Sequence, residues 1–284
     1  MKVVLFGTTG QVATEVQRHV PEGVTVEAIS RSRADFTSPE EVRVATLCVE
    51  ADVFINAVAY TNVDLAENEV DKAYAVNAES VAAMAESAAE RCIPLVHIST
   101  VYVFDGSGNR PWQPDDQPGP LGVYGASKLA GEEAIRASCA RHIVLRTAWV
   151  FSSHRQNFVK TMLMHGAKRQ HLRVVSDQFS GPTPAVDVAK TCLTLAAALH
   201  EGAAGGTYHY VGSPCVHWAD FAREIFAQAE MPTEVEDIAS ENYPTPSERP
   251  KNSRLDCASL ANDFGIARPD WRARLGEVLA ELRA

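Results

Sequence analysis

Apolar residues fall along this chain in short unbroken runs rather than in strict alternation. The first, Val3-Val4-Leu5-Phe6, is closed by Gly7-Thr8-Thr9-Gly10 and followed by a helical pattern to about Val20. Further runs occupy 24–29, 52–59, 95–99 (delivering Thr100) and 142–147. Continuous runs of this length between turn residues predict strands buried on both faces. Helical patterns lie between them. One starts at Pro39, with Ser38 as N-cap and Glu41 three beyond the cap. A long alanine-rich one covers 67–91, and another begins near Tyr124. Strands and helices alternating at this interval predict an α/β fold built on a doubly wound parallel sheet.

From residue 150 the alternation loosens. An amphipathic helix is predicted over 157–168, a turn at Gly181-Pro182-Thr183-Pro184, a helix over 185–199 and a strand over 206–211. Helices near 217–230 and 258–264 follow, separated by proline-rich segments. The organisation read from this is a core unit at 1–150, to which 185–213 returns, and a smaller lobe from 151–184 and 214–284. A proline-rich loop, 111–120, is expected to cover the site. The sequence shows no internal repeat, low-complexity tract or flexible linker.

Composition narrows the function classes. At 284 residues and 46% apolar, the chain can bury a sizeable core. A formal charge of −10 opposes non-specific nucleic-acid binding, which needs a basic footprint. The six cysteines are scattered without a Cys-x-x-Cys pair, and the nine histidines show no metal-ligand spacing. No apolar run approaches a membrane span or a signal-peptide core, so the expectation is a soluble cytoplasmic protein with neither membrane nor nucleic-acid partner.

The candidate chemistry centres on Tyr124-Gly125-Ala126-Ser127-Lys128. Four apart on a helix, the tyrosine and the lysine leave the same face one turn apart. A fixed ammonium beside a phenol favours the phenolate, which predicts a Tyr124 pKa lowered towards neutral pH. Such a phenol hands a proton to a developing alkoxide, and Thr100, at a strand end, offers a hydroxyl to the same oxygen. The set reads as apparatus for reducing a carbonyl with hydride. The pair alone also occurs on many helices as exposed residues; the strand-end hydroxyl and the glycine turn favour the chemical reading.

Strand, glycine turn and helix present backbone N–H groups to a pyrophosphate, with Gly7 and Gly10 allowing its close approach; a plain strand-to-helix turn is the other reading. About twenty residues beyond Gly10, where an acidic residue would bind the ribose hydroxyls of NAD, stand Ser30-Arg31-Ser32-Arg33. That favours a 2′-phosphate and hence NADPH, with NADH left open, unless both arginines are simply solvated. Asp35 and Phe36 suit an adenine contact or a capped loop. Ala57 and Ala59 leave room for a flat ring or a ribose. Trp149, beyond the fifth run, walls a sugar pocket or merely packs, and Asn77 is an active-site group or a polar helix position. The basic segment Arg249-Pro250-Lys251-Asn252-Ser253-Arg254 suits the diphosphate or base of a nucleotide-sugar, or is an exposed connector.

Taken in order, G-T-T-G-Q-V, S-T-V-Y-V-F-D-G, Y-G-A-S-K-L-A-G-E, L-R-T-A-W-V, N-F-V-K-T-M-L, D-Q-F-S-G-P-T and Y-P-T-P-x-x-R-P-x-N-S-R-L resemble the dTDP-4-dehydrorhamnose reductase family of extended short-chain dehydrogenase/reductases. The likeness covers nearly the whole chain. It implies a Rossmann-type NAD(P)-binding domain with a C-terminal substrate lobe, and reduction of the 4-keto group of a dTDP-6-deoxyhexose. It implies Tyr124 as proton donor, Lys128 on the nicotinamide ribose, and Thr100 polarising the carbonyl. Gln11 and Val12 join Gly10 along the pyrophosphate, and Ser30, Tyr60 and Thr61 line the cofactor with Asp35, Phe36 and Ala59. Tyr102, Trp149, Asn157 and Arg254 fall among the substrate contacts.

Two departures stand out. Val101 replaces the aspartate of the family's S-T-D-Y, and a valine cannot accept a hydrogen bond from a sugar hydroxyl. Ala13 replaces a frequent glycine and is expected to be tolerated. Val101 keeps open a 4-ketoreductase for another dTDP-deoxysugar, and a non-catalytic NADP-binding subunit resembling the methionine adenosyltransferase β subunit. Some relatives form homodimers around magnesium. Glu15 fits that pattern, but Val186 stands where a matching carboxylate is sought.

Overall fold

The computed structural model describes residues 1–283. Its centre is a six-stranded, wholly parallel sheet. Five strands are β1 (Lys2–Phe6), β2 (Thr25–Ile29), β3 (Val53–Asn56), β4 (Leu95–Thr100) and β5 (His142–Thr147), and Gly206–His209 adds the sixth beside β5. The spatial order runs from that sixth strand through β5, β4, β3 and β1 to β2. The winding therefore reverses between β1 and β3, and the crevice past their carboxyl ends is where such sheets bind ligands. Gly7 follows one of these strands and Ala57 the other.

The unbroken apolar runs are explained by burial on both faces. Val3 and Leu5 of β1 point into one core with Ile55, Val96, Leu145 and the helix Ala185–His200. Val4 and Phe6 point into the opposite core with Phe54, Val144, Val42 and Met84. All four β1 side chains are fully buried, so truncating Phe6 to alanine should cost about 3–5 kcal/mol. Helix α1 (Gln11–Arg18) lies on the first face beside Ala185–His200, with Ala13 packed into that core. Helices Pro39–Cys48 and Ser80–Glu90 cover the second.

A third core, around Phe151, Phe221, Phe226 and Trp271, belongs to a smaller layer. There the strands His171–Val175 and Glu234–Ile238 pair in parallel. Helices Phe158–Gly166, Trp218–Gln228 and Trp271–Arg283 pack around them. Neither those strands nor the last helix was anticipated. Among the described residues, no helix is long and apolar enough to cross a membrane.

The pattern over 67–91 is not one helix. After a short helix at Val63–Ala66, it comprises Val70–Tyr74, a π-helical turn at Ala75–Glu79, and Ser80–Glu90. The π turn places Asn77 against helix Val123–Ser138, where a Cβ on Gly131 would lie only 2.1 Å from the Asn77 carbonyl oxygen. The loop 111–120 is pinned at its start, while Pro120 at its end lies beside Gly125, where an added Cβ would sit 3.0 Å from the Pro120 Cβ. Trp112 stacks on Phe104, and its indole N–H donates to the Asn252 carbonyl at 3.0 Å. Arg146 Nη1 donates to the Pro114 carbonyl. Aromatic stacking and a buried arginine thus hold the loop against the sheet.

Candidate active site

Gly7 leaves β1 with φ 107°, a conformation that L side chains rarely adopt, and closes the turn into α1. Gly10 caps α1 with no side-chain hydrogen bond, and an added Cβ would meet nothing within 4 Å. The first-turn N–H groups therefore have no side-chain cap, and the loop can receive an anionic group. Beside the turn lies a cleft of about 310 Å³. Its wall includes Gly7, Gly10, Arg31, Asp35, Phe36, Ala57, Ala59 and Tyr60. An apolar slot, unpaired N–H groups and a cation suit a dinucleotide.

Five other expected cofactor residues stand off that wall, the buried Lys128 among them. Gln11 reaches the smaller layer: its Nε2 donates to the Val150 carbonyl at 3.2 Å, and its Oε1 accepts from Ser152 and Asn157. Val12 packs against the first core, Ser30 hydrogen-bonds Ser32, and Thr61 is exposed. Arg31 pairs with Asp35 at 3.0 Å at the cleft, whereas Arg33 is committed to Glu27 at 2.8 Å.

Two cations on the wall went unnoticed in the sequence. Lys72 pairs with Glu69 and lies over the Tyr60 ring, 5.6 Å from its centroid. Arg155, 146 positions beyond Thr9, donates from Nε to the Thr9 carbonyl at 2.8 Å and from Nη2 to its hydroxyl at 2.5 Å. Its backbone is left-handed, φ 52°. Local spacing could have paired Lys72 with Glu69, three residues before it, but not Arg155 with Thr9.

The reactive set gathers at the end of β4. Helix Val123–Ser138 comes so close that a Cβ on Gly125 would sit 2.1 Å from the Tyr102 carbonyl oxygen, so only glycine admits this packing. Tyr124 thereby lies edge-on to Tyr102, ring centroids 5.5 Å apart. Burial pushes its phenol up to about 12, partly opposed by hydrogen bonding with Thr100. The expectation of a lowered phenol is thus overturned: desolvation dominates, and Lys128 is occupied elsewhere. Lys128 Nζ donates to the Ile98 carbonyl at 2.8 Å and lies 2.9 Å from His97 Nε2. Burial lowers it to about 8, with Glu132 acting in the opposite direction. Asn77 is a clamp: it bonds both backbone groups of Tyr60 and donates to Ser127 Oγ at 3.0 Å.

A second, larger cleft has a volume of about 1240 Å³. Tyr60 lines the small cleft and Tyr102 the large one; both pack against the cluster that holds Tyr124, and the Tyr102 ring meets Tyr124 edge-on. Arg169, Arg173, Arg249 and Lys251 bring positive charge to the large cleft and Asp64, Asp105, Glu236, Glu241 and Glu248 bring negative charge, beside apolar Phe158 and Trp218. Arg249 is held by Asp64 at 2.8 Å and Lys251 by Asp177 at 3.1 Å. Trp149 does not reach the wall; it stacks on Trp218, centroids 3.4 Å apart, and Trp218 presents the face. Arg254 covers the Phe179 ring at 4.3 Å and bonds Asn252. Val101 is fully buried with Val103, Phe104, Ala148 and Leu255, so it faces a core rather than the cleft.

Glu15 does find acidic company, from the last helix rather than from near Val186. Ligand atoms of Glu15, His154 and Glu281 lie within 4.8 Å of one another. Arg18 already pairs with both carboxylates, at 3.3 and 2.9 Å, and His19 with Glu15 at 3.2 Å. A guanidinium thus offsets one of the two carboxylate charges and occupies both groups, so the donor set as arranged does not fit magnesium, which wants carboxylate oxygens and water.

All 284 residues match the family model for the RmlD substrate binding domain. The dTDP-4-dehydrorhamnose reductase of Escherichia coli strain K12 is 39% identical over 293 residues, 99% of this chain and 98% of that protein. Among solved structures, the Clostridium acetobutylicum dTDP-4-dehydrorhamnose reductase superposes with a TM-score of 0.94 at 33% identity, covering both chains fully. The Bacillus anthracis dTDP-4-dehydrorhamnose reductase in complex with NADP gives 0.91 at 30% identity, covering 99% of each.

Proposed function

This chain belongs to the dTDP-4-dehydrorhamnose reductase family, and on that premise we propose that it reduces the 4-keto group of dTDP-4-dehydrorhamnose to give dTDP-L-rhamnose. The observation that carries the reading is Tyr124, set edge-on to Tyr102 of the large cleft and in one cluster with Tyr60 of the small one, with Thr100 beside it and Lys128 one turn along its helix. The cofactor belongs to the unit 1–150 with 185–213, helped by Arg155, and the sugar nucleotide lies against the lobe formed by 151–184 and 214–284.

A bound nicotinamide supplies the hydride. Thr100 and Tyr124 hold the keto oxygen from the end of β4. Burial keeps the Tyr124 phenol protonated at neutral pH, so it stands ready as an acid for the alkoxide that forms as the carbon is reduced. Lys128, one turn along the helix, binds the ribose hydroxyls and returns charge to the phenol. The glycine turn, Arg155 and the first turn of α1 hold the pyrophosphate. Arg31 favours a 2′-phosphate, hence NADPH over NADH, although Asp35 beside it moderates the preference. The arginines and Lys251 of the large cleft neutralise the dTDP diphosphate, and Trp218 stacks on sugar or base.

Val101 supports a second reading, in which the sugar is another 4-keto-6-deoxyhexose. The position where the family carries an acceptor is here part of an apolar core. The test is NADPH consumption with dTDP-4-dehydrorhamnose against other dTDP-4-keto-6-deoxysugars. Turnover of the rhamnose precursor at least tenfold faster supports the first reading; the reverse order supports the second.

A further inference from the structure

Behind Lys128 lies a buried polar chain that the reduction does not use. His97 on β4, Asn56 on β3 and Lys128 are all inaccessible to solvent or nearly so. Asn56 Nδ2 lies 3.1 Å from His97 Nδ1, and His97 Nε2 lies 2.9 Å from Lys128 Nζ. One further contact fixes every proton in this chain. The Val58 backbone N–H donates to Asn56 Oδ1 at 2.9 Å. A backbone N–H is only a donor, so the amide oxygen must face Val58 and the amide NH₂ must face His97. His97 Nδ1 then has to be the bare, accepting nitrogen. In a neutral imidazole the other nitrogen carries the hydrogen, so Nε2–H points at Lys128. An ammonium has no lone pair to receive it.

We propose that Asn56 fixes His97 in the Nε2–H tautomer and that His97 donates to Lys128, holding Lys128 as a neutral amine in the cofactor-free protein. Lys128 then accepts from His97 while donating to the Ile98 carbonyl, and no atom of the chain faces a like partner. His97 is a positioning residue: it touches neither clefts nor reacting atoms and acts through Lys128. The titratable groups facing the pair are few. Glu132 lies one turn beyond Lys128 and favours its charged form. Glu132 is itself held by Arg146, Arg136 and Ser99. His142 on β5 acts against a charged His97, as does Lys128. Burial keeps His97 neutral and lowers Lys128 to about 8, still above neutral pH; the facing N–H, which an ammonium cannot accept, carries it further down. Lys128 thus takes up a proton under the control of its surroundings, instead of being a permanent cation.

The inference rests on the proposed reaction only for what Lys128 does, so its test uses no turnover. In cofactor-free protein with ¹⁵N-labelled histidine, His97 should show a bare Nδ1 and a protonated Nε2 near neutral pH. The reverse tautomer would overturn the proposal, whether or not the protein is a reductase. Asn56→Asp supplies a second readout. A carboxylate accepts from both Val58 N–H and His97 Nδ1–H, which reverses the tautomer and lets bare Nε2 accept from a lysine ammonium. The proton affinity of Lys128, followed by ¹³C NMR with Lys128→Arg for assignment, should rise at least about tenfold. The new carboxylate charge by itself also favours the ammonium, so the tautomer is read in the same variant: an Nε2–H imidazole persisting in Asn56→Asp, whatever Lys128 does, rejects the proposal.

Discussion

Replacing Arg155 by alanine isolates a contact that links the smaller layer to the glycine turn. The guanidinium spans Thr9, bonding its carbonyl and hydroxyl at 2.8 and 2.5 Å, and lines the same cleft as Gly7 and Gly10. A hydrogen bond to a charged partner contributes about 1.5–3 kcal/mol. Arg155 is exposed, so solvent and salt reduce that to about 1–2 kcal/mol. Dinucleotide affinity should therefore fall about 5–30-fold. Fluorescence titration should show this loss equally for NADPH and NADH, because the pyrophosphate is common to both, with kcat at saturating NADPH little changed. Arg155→Lys should recover part of the affinity, and added salt should shrink the difference. An unchanged Kd for both dinucleotides would refute the reasoning, and a loss confined to NADPH would move the contact to the 2′-phosphate.

Tyr124→Phe should retain NADPH binding and lower kcat by about 10²–10⁴, the range for general acid catalysis; stopped-flow turnover checks this. Arg31→Ala should raise the KM for NADPH by about tenfold, a loss near 1.4 kcal/mol, and leave NADH nearly untouched, which initial-rate kinetics with both cofactors will show. Glu132→Gln should destabilise the fold by about 3–5 kcal/mol in urea, because it leaves the Arg146 guanidinium, 2.7 Å away, buried without its partner. The same pair predicts an acid limb in wild-type stability. Burial alone would raise the Glu132 carboxyl, yet Arg146 brings it below its ordinary 4.5. Its contribution is then present above that pH and lost as pH falls through the lower folded value, visible as a declining Tm.

The sheet was legible in the sequence because its strands are buried on both faces and so read as unbroken apolar runs, from Val3–Phe6 onward. Ser38 with Pro39 and Glu41 announced a helix, and the Ser38 side chain does cap it, accepting from the Glu41 N–H. The strand pair His171–Val175 and Glu234–Ile238 was not legible. Its partners lie some sixty residues apart, and each mixes charge with apolar positions on a half-exposed surface. The π turn was hidden as well: it packs against Gly131, on a helix distant in sequence. At the site, spacing alone placed Tyr124 and Lys128 on one helix face. It could not weigh burial against charge, and so reversed the direction of the phenol's shift. Arg155 and Trp218 were out of reach for the same reason that Glu281 was: each is brought in by packing of the smaller layer. Trp149, visible because it follows a strand, stands one ring behind the residue that faces the cleft.

The central claim is hydride transfer to the sugar's keto carbon within this site. NADPH carrying deuterium on the transferred face, incubated with the protein and dTDP-4-dehydrorhamnose, should give dTDP-L-rhamnose with one deuterium at C4, and Tyr124→Phe should slow that labelling. NADPH and sugar nucleotide both bound, with no deuterium reaching C4, would contradict the account.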